Sequence, residues 1–88
     1  VFNRDVNISS LKGYFGHTLG ASGSLEALLT IEMMNRGVFI SNANLKNVDS
    51  RCASLNYLVD NQQIDTEYVM TNNFAFGGVN TSLIFKKF

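Results

Sequence analysis

The clearest hydrophobic pattern in the chain lies between Gly20 and Gly37. Apolar residues recur there at helical spacing on two adjoining faces, with Ala21, Leu25, Leu28 and Leu29 on one and Ala27, Ile31 and Met34 on the other. Ser22 or Ser24 suits the N-cap, Arg36 suits the last turn, and Gly37 stands where a left-handed C-cap belongs. The pattern predicts a helix that ends at Gly37 and whose apolar stripe is wide enough for deep burial.

Shorter runs on either side of this helix read as strands. The mixed run from Asp5 to Ser10 predicts a strand that leads into a glycine-rich turn, and the remaining runs with strand character follow the helix, at Val38–Ile40, Leu55–Val59, Glu67–Asn73 and Thr81–Lys87. Leu83 and Phe85 share one face of the last strand. The segment from Ser41 to Ser50 is polar and predicts a loop with a turn near residues 47–50.

This order of elements predicts an α/β layer in which a mixed β-sheet packs on a buried α-helix. A helix that is apolar on nearly all sides needs cover from more than one direction, and a few short strands cannot supply it. We therefore expect an incomplete domain, whose missing layer comes from sequence upstream or from a second subunit.

Composition narrows the function classes. Seven basic residues balance seven acidic ones, which excludes the electrostatic footprint expected for nucleic acid or for an anionic membrane surface. No apolar run approaches the roughly 20 residues that cross a bilayer, and the single cysteine suits a reducing compartment, so we expect a cytoplasmic protein. The chain begins at Val1 without a methionine or a signal-peptide pattern, which predicts that it starts partway through a longer protein.

The best candidate for chemistry is the glycine-rich segment Ser9–Gly23, which holds the chain's only histidine, His17, five residues after Lys12. A neutral imidazole can donate a hydrogen bond from one nitrogen while a backbone group fixes the other, and a helix start beside it favours negative charge. Stabilising an oxyanion or enolate is the simplest use of this arrangement. Open alternatives are a structural histidine and, for Lys12, a solvated surface charge.

Two other kinds of site find less support in the residues. One histidine, one distant cysteine and scattered carboxylates show no metal-ligand spacing, so we predict no metal and no cofactor. Gly16, Gly20 and Gly23 precede a helix as in a phosphate-binding loop, but the Gly-Lys-Ser/Thr ending of such a loop is missing. Cys52 has no histidine near it in sequence and is interpreted as a non-catalytic thiol.

A second candidate segment runs from Phe74 to Gly78. Phe74 and Phe76 with the pair Gly77-Gly78 fit a β-hairpin bend whose aromatic side chains turn into the core. They also fit a mobile aromatic gate, because glycines permit the unusual dihedrals and close approach that a gating or oxyanion loop needs. Both interpretations stay open on these residues alone.

Taken together, the motif Ser-Ser-x-Lys-x-x-x-Gly-His-Thr-Leu-Gly-Ala-x-Gly at Ser9–Gly23 and Asn-Phe-Ala-Phe-Gly-Gly-Val-Asn at Asn73–Asn80 resemble the C-terminal end of β-ketoacyl-acyl-carrier-protein synthases of the elongating type. The resemblance covers nearly the whole chain, and it implies that residues 1–88 are the C-terminal segment of a synthase domain. It implies the C-terminal part of a thiolase-like fold and a decarboxylating Claisen condensation of malonyl-carrier protein with an acyl-enzyme thioester. The implied partners are acyl carrier protein, the remainder of the synthase and, as in the family, a second copy in a homodimer.

The resemblance also implies a role for each candidate residue. His17 corresponds to the second active-site histidine, which stabilises the enolate, and Lys12 to the lysine that supports that pocket. Phe76 corresponds to the phenylalanine that gates malonyl entry, with Phe74 as its neighbour, and Gly77 and Gly78 to the glycine pair behind the gate.

The family's nucleophilic cysteine and first histidine have no counterpart in these 88 residues, so we expect the isolated chain to be inactive. The chain also departs from the family pattern at Ala75, where glycine is usual and a positive φ would strain alanine, and at Ser22, where alanine is usual. Two alternatives remain: a non-catalytic partner subunit, such as the chain-length factor of a polyketide or aryl-polyene pathway, and a fold-only domain in which His17 binds nothing.

Overall fold

A computed structural model describes residues 6–88 and contains short strands around one long helix. The helices are α1 (Lys12–Phe15) and α2 (Ser22–Arg36), joined through a single 3₁₀ turn at Leu19–Ala21. The strands, in chain order, are β1 (Asn7–Ile8), β2 (Val38–Phe39), β3 (Asn56–Tyr57), β4 (Gln62–Gln63), β5 (Tyr68–Phe74) and β6 (Asn80–Lys86). No helix within this part of the chain is both long enough and apolar enough to cross a membrane.

Helix α2 confirms the sequence prediction at its end but not at its start. Gly37 has φ 68° and ψ 21°, and its N–H donates to the carbonyl oxygens of Met33 at 2.9 Å and Met34 at 3.3 Å. At the other end Ala21 occupies the N-cap position, and no side chain caps the helix. The predicted serine cap is wrong because Ser22 and Ser24 both lie inside the helix, where the Ser22 hydroxyl donates to a side chain instead.

The strands pair in three two-stranded units of mixed direction. β1 runs parallel to β3, whereas β2 with β4 and β5 with β6 are antiparallel. Strands were predicted at each of these places except β4, whose two glutamines carry no apolar signal. The predicted first strand begins at Asp5, which lies outside the described residues, and the described strand is Asn7–Ile8. The glycine-rich segment was predicted as a turn, but it also contains α1.

The β5–β6 hairpin packs one face against α2. Thr71 is buried and Val69 is half-buried, and these residues pair across the hairpin with Leu83 and Phe85 respectively. This register confirms that Leu83 and Phe85 share a face. On the opposite face of β5, Tyr68, Met70 and Phe74 are exposed and Asn72 is half-buried.

The apolar core is small and is formed by residues of α2 and by residues that follow β1 and β3. Its buried hydrophobic members are Leu11, Met33, Met34 and Leu58. The expectation of deep burial for the whole apolar stripe of α2 is wrong within residues 6–88, since Leu28 is 63% exposed. The helix contacts β5 and β2, and two of its polar residues, Ser22 and Glu26, are buried as well.

Candidate active site

His17 lies in the loop between α1 and α2, and a backbone group fixes the orientation of its ring. The N–H of Leu19 donates to His17 Nδ1 at 2.9 Å. Because Nδ1 is the acceptor, the proton of a neutral ring lies on Nε2, which is therefore free to donate. The histidine is exposed and its Nε2 makes no hydrogen bond to any other residue among 6–88.

The backbone around His17 adopts unusual conformations on both sides. Gly16 has φ 79°, and Leu19 has φ 52°, in the left-handed region that a leucine seldom adopts. Such a conformation costs about 1 kcal/mol for a residue with a Cβ, and the Leu19 side chain is 77% exposed, so its packing here offsets little of that cost. Backbone strain of this kind is often found at functional sites.

Lys12 begins α1 and reaches across to α2. Its Nζ pairs with Glu26 Oε1, and the Ser22 hydroxyl donates to the same oxygen at 3.1 Å. The Lys12 side chain is 35% exposed and that of Glu26 only 11%. Lys12 is therefore not a freely solvated surface charge, because a largely buried carboxylate holds its ammonium group beside the start of α2.

Sequence reasoning missed Glu26. The apolar pattern of α2 does not point to Glu26, although a carboxylate on a buried helix face needs a cation or hydrogen-bond donors nearby. Ser22 and Glu26 are 2% and 8% exposed, so these two polar residues of α2 are about as well buried as Met33 and Met34.

Short contacts tie α1 to the loop that follows β2. Tyr14 donates its hydroxyl to the Ser41 carbonyl oxygen at 2.8 Å, and Gly13 lies so close to this loop that a Cβ built on it would be 2.9 Å from the Cβ of Ala43. The N–H of Gly16 closes α1 on the Lys12 carbonyl at 2.7 Å. Residues 12–16, which lead to His17, are therefore held in place by both side-chain and backbone contacts.

Asn42 joins three segments beneath this loop, and its role was not predicted. Its Oδ1 accepts from the Ser10 N–H at 2.7 Å, and its Nδ2 donates to the carbonyl oxygens of Ile8 at 3.3 Å and Leu58 at 3.0 Å. Its backbone N–H also donates to the Leu58 carbonyl oxygen at 2.9 Å. One amide side chain therefore links β1, the residue after β3 and the segment that leads into Lys12.

The second candidate segment forms the tip of the β5–β6 hairpin. The Ala75 N–H donates to the Val79 carbonyl oxygen at 2.9 Å, and the Gly78 N–H donates to the Ala75 carbonyl oxygen at 3.0 Å. Gly78 has φ 84°, the left-handed position of a three-residue hairpin loop. Ala75 is not among the positive-φ residues, so the expected strain at Ala75 is wrong.

Phe74 and Phe76 do not turn into the core of the described residues. Phe74 is 78% exposed, and Phe76 is fully exposed at the loop tip beside Gly77. The interpretation as a bend with inward-facing aromatics is therefore wrong for residues 6–88. The loop is closed by two backbone hydrogen bonds, and both aromatic side chains point away from this core. Such exposed aromatic side chains are typical of a surface that contacts a ligand or another part of a protein.

The hairpin approaches the start of α2, beside the loop that carries His17. The Asn73 amide nitrogen lies 3.5 Å from the position of a Cβ on Gly23, an ordinary van der Waals distance, so the end of β5 packs against the first turn of α2. Within the described part of the chain, no hydrogen bond joins residues 74–78 to His17 or Lys12. The structure thus joins Lys12 to α2 and places the base of the hairpin at the same end of this helix. It shows no hydrogen bond between the hairpin tip and His17 among residues 6–88.

Cys52 lies apart from this site in the polar loop before β3. It is exposed, and its N–H donates to the Asp49 carbonyl oxygen at 2.9 Å. The neighbouring Arg51 guanidinium donates to the Asp49 carboxylate at 2.7 Å, which lowers the pKa of that carboxyl below 3.8. Residues 6–88 contain no cluster of three or more His, Cys, Asp or Glu side chains that could hold a metal ion.

Comparison with known proteins supports a single family. The profile of the beta-ketoacyl synthase C-terminal domain matches residues 2–46. The chain is 35% identical over 80 residues to 3-oxoacyl-[acyl-carrier-protein] synthase 1 of Escherichia coli strain K12, covering 91% of this chain and 20% of that protein. It is 36% identical over 85 residues to the chloroplastic 3-oxoacyl-[acyl-carrier-protein] synthase II of Arabidopsis thaliana, covering 94% of this chain and 16% of that protein.

The fold agrees with a solved structure of the same kind. A crystal structure of a beta-ketoacyl synthase from Burkholderia phymatum STM815 superposes with a TM-score of 0.92 at 58% identity, covering 94% of this chain and 21% of that one. This agreement confirms the predicted α/β fold, the C-terminal part of a thiolase-like fold. The chain spans about a fifth of the length of the relatives it matches. With a family profile and a close structural match in agreement, the chain belongs to the beta-ketoacyl synthase family.

Proposed function

We propose that residues 1–88 are the C-terminal segment of a β-ketoacyl-acyl-carrier-protein synthase that elongates acyl chains. In this reaction the bond between the α-carbon and the carboxylate of malonyl-carrier protein breaks, and carbon dioxide leaves. The electron pair forms a thioester enolate, whose α-carbon attacks the carbonyl carbon of an acyl group held on an enzyme cysteine. A carbon–carbon bond forms, and the cysteine leaves as a thiolate.

The observation that carries this proposal is the hydrogen bond from the Leu19 N–H to His17 Nδ1. It leaves Nε2–H as the free donor on an exposed ring, which is the form of imidazole that can hydrogen-bond a thioester carbonyl oxygen. Negative charge develops on that oxygen as the enolate forms, and a fixed donor aimed at developing charge lowers the barrier without reorganising. We assign this role to His17.

Lys12 contributes positive charge near the start of α2. Its pairing with Glu26 fixes the ammonium group in a partly buried position, where charges interact more strongly than they do in water. We assign Lys12 to electrostatic support of the pocket that His17 serves. The side-chain ion pair also holds α1, so Lys12 positions the loop that follows it.

The hairpin tip fits a gate over this pocket. Phe76 is exposed at the apex, Phe74 is exposed at the end of β5, and Gly78 supplies the left-handed residue that the loop requires. We propose that the two phenylalanines control access of the malonyl group and that Gly77 and Gly78 allow the loop to move.

The proposed enzyme needs groups that this chain does not provide. The nucleophilic cysteine and a further histidine are assigned to the rest of the synthase, since Cys52 is exposed in a loop outside the site described above. The 88 residues by themselves are therefore expected to be inactive. The relatives' names specify acyl carrier protein, and we propose it as the carrier of both substrates, with a homodimer as the working form.

The test uses the full-length protein with malonyl- and acyl-carrier protein, measuring carbon dioxide release and the mass of the acyl product. Wild type is expected to release carbon dioxide and to lengthen the acyl chain by two carbons. His17→Ala should lower decarboxylation by about 100-fold or more, the usual effect of removing one oxyanion donor. Cys52→Ser is the control and should retain wild-type rates.

Two results would contradict the proposal. Wild-type protein that neither decarboxylates nor condenses would favour a non-catalytic partner subunit, such as a chain-length factor. Full activity in His17→Ala would show instead that the ring makes only its local contact with Leu19.

A further inference from the structure

The buried end of α2 contains a hydroxyl for which the reaction above gives no role. Ser22 is 2% exposed and stands at the first turn of the helix, yet it does not cap the helix. Its Oγ donates to Glu26 Oε1 at 3.1 Å, one turn further along the same face. A buried hydroxyl is costly unless it is hydrogen-bonded, and among residues 6–88 its hydrogen-bond partner is the carboxylate of Glu26.

The acceptor of this hydrogen bond also binds Lys12. Glu26 Oε1 accepts from both the Ser22 hydroxyl and the Lys12 ammonium group. Glu26 is a flexible side chain, and a single contact with an equally flexible lysine would leave its carboxylate free to change rotamer. A second donor, rooted on the same helix four residues away, restricts the carboxylate to the rotamer that faces Lys12.

Lys12 passes this restraint on to the loop of His17. Its side chain is held on α2, while its carbonyl oxygen accepts the Gly16 N–H at 2.7 Å, immediately before the histidine. The four residues of α1 are too few to form a stable helix alone. Their position relative to α2 therefore depends on contacts such as this ion pair.

We propose that Ser22 is a positioning residue, whose hydroxyl orients Glu26 so that Glu26 fixes Lys12 and, through α1, the loop of His17. This proposal rests on the proposed function, because it assigns Ser22 an effect on that reaction. Ser22 itself touches neither substrate nor the reacting atoms.

The experiment is a double-mutant cycle in the full-length protein, read by the rate of malonyl-carrier-protein decarboxylation. Ser22→Ala removes the hydroxyl and leaves the helix intact, and we expect a three- to tenfold lower kcat with KM changed less than twofold. Ser22→Thr keeps the hydroxyl and should stay within twofold of wild type. Ser24→Ala changes an exposed serine two residues away in the same turn and should have no effect.

Lys12→Met supplies the second side of the cycle. If Ser22 acts through Glu26 and Lys12, adding Ser22→Ala to Lys12→Met should lower kcat less than twofold further, because the group being oriented is already gone. Thermal unfolding of the four proteins is measured in parallel, and the loss of kcat in Ser22→Ala should exceed anything explained by the fraction unfolded at the assay temperature.

Three outcomes would overturn the role of Ser22 alone. They are an unchanged kcat in Ser22→Ala, an equal loss in Ser22→Thr, and independent, multiplicative losses for Ser22→Ala and Lys12→Met. An inactive wild type is a different result: it removes the proposed function, and the role of Ser22 in it falls as well.

Discussion

Replacing Asn42 by leucine should loosen the platform beneath the His17 loop. The change keeps the number and branching of the side-chain heavy atoms but removes three side-chain hydrogen bonds, one from Ser10 at 2.7 Å and two to the carbonyl oxygens of Ile8 and Leu58 at 3.3 Å and 3.0 Å. Those three partners lie in segments that no other single side chain joins within residues 6–88.

The size of the effect follows from the exposure of these groups. A hydrogen bond of this kind contributes about 1 kcal/mol, and a buried partner left unpaired costs more. The carbonyl oxygen of Leu58 keeps the backbone N–H of Asn42 as a donor at 2.9 Å, and the Ser10 amide is exposed enough to bind water, so the three losses do not add in full. We expect a loss of about 2 kcal/mol in local stability.

Hydrogen exchange of the full-length protein, followed at the Ser10 amide, measures this loss directly. A local loss of about 1.4 kcal/mol corresponds to tenfold faster exchange, so a loss of about 2 kcal/mol in Asn42→Leu should accelerate exchange at Ser10 by about 30-fold. Asn47→Leu is the matched control, because Asn47 is exposed and makes no side-chain hydrogen bond among the described residues. Exchange at Ser10 that is the same in both variants and wild type would refute the linking role of Asn42.

Three further predictions concern single residues. Gly37→Ala should destabilise the protein by about 1 kcal/mol in urea unfolding, because φ 68° is unfavourable for alanine while the nearest atom to the new Cβ is an unstrained 3.7 Å away; an unchanged midpoint would refute the strain. Gly78→Ala, at φ 84°, should speed amide exchange in the hairpin loop, whereas Gly77→Ala should not, and equal effects would contradict the turn geometry. Arg51→Ala should raise the pKa of Asp49 toward 3.8 in an NMR titration; the native contact lowers that pKa, so its contribution to stability holds at neutral pH and is lost as the pH falls through the lowered value, and an unchanged titration would show that the contact is absent in solution.

Local pattern predicted most of the fold. The end of α2 at Gly37 and the strands β5 and β6 follow from apolar periodicity and a glycine, which are signals contained in neighbouring residues. The N-cap was wrong because Ala21, Ser22 and Ser24 lie within four residues of one another and offer several starts, and only the packed structure directs the Ser22 hydroxyl to Glu26. The two glutamines of β4 form no apolar pattern. They adopt a strand because they pair with β2, which the local sequence does not indicate.

The candidate site was only partly accessible from sequence. His17 and Lys12 stand out by their spacing in a glycine-rich segment, but neither the tautomer of His17 nor the partner of Lys12 can be seen there. The tautomer of His17 depends on the left-handed backbone conformation of Leu19. Lys12 and its partner Glu26 are 14 positions apart in the sequence. Asn42 depends on contacts 16 to 34 positions away, which no local pattern encodes.

Some predictions made from the sequence remain predictions. The cytoplasmic location is one of them, and a relative from Arabidopsis thaliana is named as chloroplastic. The homodimer is another.

His17 is proposed to act through a hydrogen bond donated from Nε2, and two replacements of this residue in the full-length protein test that role. Glutamine can present an N–H near the place of Nε2, whereas alanine cannot. The measurement is the rate of carbon dioxide release from malonyl-carrier protein. We predict that His17→Gln retains at least about tenfold more activity than His17→Ala, in line with the contribution of one oxyanion donor. Equal rates for the two variants, at any level, would contradict the claim.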